Sequence, residues 1–213
     1  MNHKDPVLDL TQLRHSLKEK FPTAHRDFTP EVLVEPESWQ AEDLLNFDPA
    51  TVNEVVSPEP GRGISLMISR LLDAERDLPL ALVDGRDQFD PGSQGNSRCG
   101  RLFWVRCHDI GQAIQATDLL LRDGNLPLVV LDLHLSPERE LRRIPRALWH
   151  RYKTEARQSG TTLVVLTPSV IVPSAHERIF VSGHFTLEQV EKERPTFQAS
   201  RENTRGISQT RSS

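Results

Sequence analysis

Four short runs of nearly unbroken apolar residues constrain this chain more than any other feature. They are residues 79–83 (PLALV), 101–105 (RLFWV), 127–133 (PLVVLDL) and 161–167 (TTLVVLT). A strand with one wet face alternates polar and apolar side chains, whereas a strand covered on both faces does not. Stretches of helical periodicity lie between the runs. Residues 110–122 turn Ala113, Ile114, Thr117, Leu120 and Leu121 to one side, begin after Asp109 and stop at Gly124. Residues 145–158 open on Pro145, which suits a first helical turn, and end before Gly160. Buried strands alternating with helices predict an α/β fold, a mostly parallel sheet with helices on both faces.

Residues 53–72, NEVVSPEPGRGISLMISRLL, extend this pattern. Residues 53–56 read as a strand. Residues 64–72 read as a helix, with Ile64, Met67, Ile68, Leu71 and Leu72 at three- and four-residue spacing. The connecting loop runs Ser57-Pro-Glu-Pro-Gly-Arg-Gly63. Strand, glycine-containing loop and helix is the layout of a phosphate-binding loop, where free backbone N–H groups and a helix N-terminus meet an anion. Ser57, Gly61, Arg62, Gly63 and Ser65 are the candidate contacts. A Walker A motif closes on Gly-Lys-Ser/Thr, the lysine for the outer phosphates and the hydroxyl for Mg²⁺. This loop has neither at that place.

In parallel sheets, functional loops gather at the carboxyl ends of the strands. Those loops here are 57–63, 84–87, 132–136 and 167–169, and they are expected along one edge. Outside the core, residues 8–21 form an amphipathic helix with the stripe Leu10, Leu13, Leu17 and Phe21. Residues 22–50 read as a proline-rich, acidic arm with little regular structure beyond a short strand at 32–34. Residues 88–100 read as a loop, and 178–185 as a last strand at the sheet edge. The polar run from Pro195 onward has the composition of a disordered tail. Three regions follow: an N-terminal helix and arm over 1–50, a core over 51–190, and a tail over 191–213.

Two cysteines, Cys99 and Cys107, are too few for a disulfide framework, and the histidines show no metal-ligand spacing. No apolar run reaches the length of a membrane span, and the first ten residues lack the apolar core of a signal peptide, so a cytoplasmic protein is expected. The net charge of −4 hides an asymmetry. Glu31, Glu35, Glu37, Glu42, Asp43, Asp48, Glu54 and Glu59 crowd the first sixty residues, and Arg139, Arg142, Arg143, Arg146, Arg151, Lys153 and Arg157 gather later. Such an imbalance marks either a nucleic-acid or acidic-partner surface, or simply a solvated face.

Taken in order, four segments resemble the ATPase core of RecA-type recombinases: EVVSPEPGRGISL, LALVDGRDQFDP, HDIGQAIQATDLLLRDGNLPLVVLDL and TTLVVLTP. Pro58 and Glu59 match the phosphate loop of that family, Phe89-Asp90-Pro91 is retained after its glutamate-bearing strand, and Asp132 occupies the Walker B position. The departures share a direction. Gly63 stands at the lysine, Ile64 at the hydroxyl, Arg86 at the water-activating glutamate and Pro168 at the sensor. Phosphoryl transfer depends on these groups. The resemblance therefore implies a RecA-like core that does not hydrolyse ATP and needs no cofactor or metal. Arg62 is left as a point charge for residual ATP binding, and Asp132 as a structural acid.

The family grips single-stranded DNA through loops after the Walker B and sensor strands. Arg139, Arg142, Arg143 and Arg146 beside Trp149 and Tyr152 would suit backbone contact and base stacking, unless the two aromatics face the core. A core with these losses resembles ImuA, a companion of RecA in damage-induced mutagenesis alongside the Y-family-like ImuB and an error-prone polymerase. The implied partners are RecA or an ImuB-like translesion polymerase complex, with single-stranded DNA and no membrane. Leu13, Leu17 and Phe21 would dock on a partner or on another copy. Two alternatives stand beside this reading: a SulA-like inhibitor of cell division, and a nucleotide-dependent enzyme built on Arg62, Arg86 and Asp132.

Overall fold

A computed structural model describes residues 37–40, 46–58, 63–74, 78–94, 99–181 and 196–203, all within the unit Glu35–Ser213. The amphipathic helix expected at 8–21, with Leu13, Leu17 and Phe21, and the strand expected at 32–34 lie outside the described residues.

Eight strands form one sheet: β1 (Glu37–Gln40), β2 (Val52–Val56), β3 (Leu80–Asp84), β4 (Leu102–Arg106), β5 (Leu128–Asp132), β6 (Thr162–Thr167), β7 (Glu177–Val181) and β8 (Thr196–Asn203). Their order across the sheet is β1-β8-β7-β2-β6-β5-β3-β4. From β7 to β4 every pairing is parallel, and β8 runs antiparallel to both β7 and β1. The helices are α1 (Ile64–Ala74), α2 (Ile110–Asp123), the single turn α3 (Glu138–Leu141) and α4 (Arg146–Ser159).

One run departs from the expectation: residues 101–105 form β4, at the end of the strand order, half-buried with Phe103 exposed, so its reading as a strand covered on both faces is corrected. The other three runs are the central strands β3, β5 and β6, buried along nearly their whole length. Their side chains divide between two cores. Val129, Leu131, Leu163 and Val165 pack under α2 and α4. Leu128, Val130, Val164 and Leu166 pack under α1, against Ile64, Met67, Ile68, Leu71 and Leu72. Each such side chain contributes roughly 1.5–3 kcal/mol by leaving water. The expected two-sided coverage is thus present, and it pins the register, since a one-residue slip would exchange the two cores.

Helix boundaries follow their capping residues. The Asp109 side chain accepts the N–H of Gln112 at 2.9 Å, and Gly124 closes α2 in the left-handed region at φ 69°. Gly160 closes α4 in the same way at φ 79°. The segment expected as a plain loop over 88–100 contains a short 3-10 turn, Pro91–Ser93, with the Asp90 side chain accepting from Gly92.

Three expectations about the far side of the sheet are corrected. Residues 196–203, read as disordered tail, form β8. Residues 37–40, assigned to an irregular arm, form β1. As a consequence β7, expected at an edge, is an interior strand between β2 and β8. Backbone pairing with distant partners overrides a polar local composition here.

Candidate functional site

Register places the tips of β2, β3, β5 and β6 side by side, and backbone bonds continue past the strand ends. Ser57 N–H donates to Thr167 O at 2.9 Å, Gly85 N–H to Asp132 O at 3.0 Å, and Leu133 N–H to Leu166 O at 2.9 Å. At this edge a cavity of about 580 Å³ opens between the start of α1, the loop after β3 and the tip of β5. Gly63, Ser65, Ser69, Phe89, Asp132 and His134 line it.

Each wall has a cause. Gly63 sits at φ 102°, in the region that favours glycine, and its carbonyl accepts the N–H of Met67 at 2.8 Å to open α1. Ile64, at the hydroxyl position of the resemblance, is buried in the core beneath α1. Ser65 is exposed on the cavity side. The wall after β3 is organised by Asp84, whose carboxylate is buried. Its Oδ1 accepts Arg86 N–H at 3.3 Å and Gln88 N–H at 3.0 Å, and its Oδ2 accepts Phe89 N–H at 2.8 Å and Trp104 Nε1–H at 3.3 Å. Phe89 then meets Trp104 edge-on at 5.5 Å. The Arg106 guanidinium lies 5.0 Å over Trp104 and holds both oxygens of Asp87, at 2.6 and 2.7 Å. That hydrogen-bonded guanidinium keeps the Asp87 carboxyl below its ordinary range.

Asp132 forms the floor. Its Oδ1 accepts the N–H of His134 at 3.0 Å. Burial pushes its pKa up to about 6, with the nearby Asp84 carboxylate adding to the rise and the His134 N–H opposing it. His134 Nε2 donates to the Ser57 carbonyl at 3.0 Å, which puts that proton on Nε2 and ties the tips of β5 and β2 together.

Of the residues expected to form a phosphate site, the fold brings Gly63, Ser65 and Asp132 around one cavity. Ser57 is wholly buried behind it, joined to β6 and to His134. Gly61 and Arg62 lie outside the described residues. The described residues that line the cavity include two carboxylates, Asp90 and Asp132, and no lysine or arginine. Arg86 is tied to Glu140 at 2.6 Å and is not among the lining residues. No three His, Cys, Asp or Glu side chains come together as a metal site among the described residues. Gln88, Phe89 and Ser69 were not foreseen as lining. The retained Phe89-Asp90-Pro91 was the sequence signal that pointed to that wall.

The basic segment lies elsewhere. Arg139 on α3, Arg142 and Arg143 in the turn that follows it, and Arg146 at the start of α4 are all exposed. Trp149 and Tyr152 are turned into the core beneath α4, where the Tyr152 hydroxyl donates to Ile114 O at 2.7 Å. Of the two readings of this segment, the structure bears out the one in which both aromatics face the core, so their ring faces are consumed by packing rather than open to bases. The loop after β6 is held as well. Ile171 and Val172 N–H groups donate to the buried Glu54 carboxylate at 2.7 and 3.1 Å.

No protein-family model matches this sequence, and no curated protein matches it. Among solved structures, the chain is similar to one described as the crystal structure of the RadB recombinase, at 14% identity, with a TM-score of 0.50, covering 63% of this chain and 76% of that one. The fold is RecA-like. No helix among the described residues is long and apolar enough to cross a membrane.

Proposed function

We propose that this chain is a RecA-like accessory protein of the DNA damage response that does not hydrolyse ATP and acts as an adaptor between RecA and an ImuB-like translesion polymerase complex. The observation that carries the reading is the cavity at the strand tips. It keeps the position of a nucleotide site and its Walker B acid, Asp132, yet glycine at φ 102° and a core isoleucine stand where lysine and hydroxyl would serve. Phosphoryl transfer relies on positioned cations to neutralise developing charge. The described residues that line the cavity offer a triphosphate no lysine or arginine. A recombinase-type core without that chemistry keeps its surfaces, and surfaces are what an adaptor uses. The similarity to a recombinase supports a place in DNA repair or recombination.

The test is a pull-down of tagged protein from cells treated with a DNA-damaging agent, with and without nuclease, alongside an ATP turnover assay. RecA or a translesion polymerase retained after nuclease, with no turnover above background, is the expected result. Turnover that disappears in Asp132→Ala would replace the reading with an enzyme. Recovery of the division protein alone would replace it with a SulA-like inhibitor.

A further inference from the structure

The solvent face of α3 and α4 carries a charge pattern that the strand-tip cavity does not use. Residues 138–159 contain three carboxylates, and each is committed to an arginine. Glu138 holds Arg142, Glu140 holds Arg86, and Glu155 holds Arg122 and Arg151. On the neighbouring α2, Asp118 is likewise held by Arg122 and Arg151. Arg139, Arg143, Arg146, Lys153 and Arg157 remain, with no ion pair among the described residues. All but the half-buried Lys153 are exposed.

Geometry sets three of these side chains, together with His150, in a row. Arg146, His150, Lys153 and Arg157 follow each other at four-, three- and four-residue spacing, which sets them on one line along the helix. The row lies on the shoulder of α4 away from α2, because Arg151 and Glu155 occupy the opposite shoulder, bonded to Asp118 and Arg122. It spans about 16 Å, the rise of eleven helical residues. One strand of a duplex advances about 3.4 Å per phosphate, so the row covers roughly five phosphates.

We propose that this shoulder of α4 binds the phosphate backbone of duplex nucleic acid without reading its sequence. Grip on single strands relies on aromatic platforms, and both aromatics of the helix are packed inward. An acidic polypeptide would be held by apolar anchors beside the charges. Here the flanking exposed residues are Ala147, Thr154 and Gln158. The N-terminus of α4, where Arg146 stands, adds the positive end of the helix dipole to the row. The inference is independent of the adaptor role, since the row lies outside the cavity on which that role rests.

Fluorescence anisotropy of the full chain with a labelled mixed-sequence duplex of about 20 base pairs tests it. Three neutralised phosphates predict that affinity falls roughly 40-fold between about 50 and 200 mM salt. The triple variant R146A/K153A/R157A is expected to lose duplex binding. A charge-matched control, R106A/R122A/R151A, removes three exposed, paired arginines and is expected to keep it. Should either triple variant lose cooperative unfolding by circular dichroism, single substitutions Lys153→Ala and Arg157→Ala replace it, each lowering the salt slope by about 0.9. Equal losses in both triple variants would overturn the proposal in favour of net charge. No binding by the wild type would overturn it, as would a row variant that keeps the duplex and loses poly-glutamate.

Discussion

The carboxylate of Glu54 on β2, wholly buried, accepts the Nε–H of Arg178 on the neighbouring strand β7 at 2.8 Å. Both partners make further hydrogen bonds. Glu54 Oε1 also accepts Thr167 Oγ1–H and the N–H groups of Ile171 and Val172, and Arg178 Nη2–H donates to Val172 O at 3.0 Å. One buried ion pair thus joins β2, β6, β7 and the loop between the last two.

Removing one partner leaves a buried charge without compensation, which costs about 3–5 kcal/mol. Arg178→Met is expected to lower stability by that amount in urea unfolding. The double variant Glu54→Leu/Arg178→Met, which removes both charges, is expected to recover a substantial part of the loss. A double variant no better than the single one would show that Thr167, Ile171 and Val172, left without their acceptor, dominate the energetics.

Asp132 has the opposite character, an acid whose burial works against its charge. Its folded pKa of about 6 exceeds the ordinary value of 3.8, so the folded state holds the proton more tightly than the unfolded chain. The associated stability is complete below pH 3.8 and is lost as pH rises through 6. Asp132→Asn retains an acceptor for the His134 N–H and removes the ionisable group. It is expected to be more stable than wild type by on the order of 2 kcal/mol at pH 8, with a smaller gap at pH 4.5. A gap of equal size at both pH values would mean that Asp132 titrates as an ordinary carboxyl.

The central sheet was legible because its determinants are local. Residues 128–132 and 162–167 are apolar at every step, and α2 and α4 carry their stop signals, Gly124 and Gly160, in the chain itself. β8 was not legible, since Thr196–Asn203 is polar and becomes a strand through pairing with β7 and β1, elements distant in sequence. Glu54 was counted among exposed acids for the same reason: its partner Arg178 lies 124 residues away. At the cavity, the places of Gly63 and Asp132 at the strand tips were readable from order and spacing. The capping role of Asp84 was not, because it depends on how residues 86–89 fold back over its carboxylate.

Tyr152 links α4 to α2 through a hydroxyl that donates to Ile114 O, and burial raises the pKa of the phenol, so the donor proton is secure across the accessible pH range. Tyr152→Phe leaves the carbonyl without this donor and is expected to cost about 0.5–1.5 kcal/mol. Trp149→Ala removes the largest side chain beneath α4 and is expected to cost about 3–5 kcal/mol. Chemical denaturation measures both. Near-neutral effects would mean that these aromatics are not packed as described.

Gly85, directly after β3, joins the tip of β3 to that of β5 by donating its N–H to Asp132 O. The approach is close: a Cβ at this position would lie 2.6 Å from the same carbonyl oxygen and 3.0 Å from Leu133 Cδ2. The obstacle is backbone, so it cannot swing aside as a side-chain end would. Gly85→Ala must push β3 and β5 apart at their tips, at a cost of about 1–3 kcal/mol. The displacement reaches the cavity from two sides, through Asp132 below and through the Asp84-capped loop that carries Phe89. Trp104 reports the second route, since it contacts Phe89 and bonds Asp84. The expected result is a lower urea midpoint together with a shifted Trp104 emission, read in a background where Trp39 and Trp149 are replaced by phenylalanine. An unchanged midpoint and emission would show that the two strand tips are not locked together.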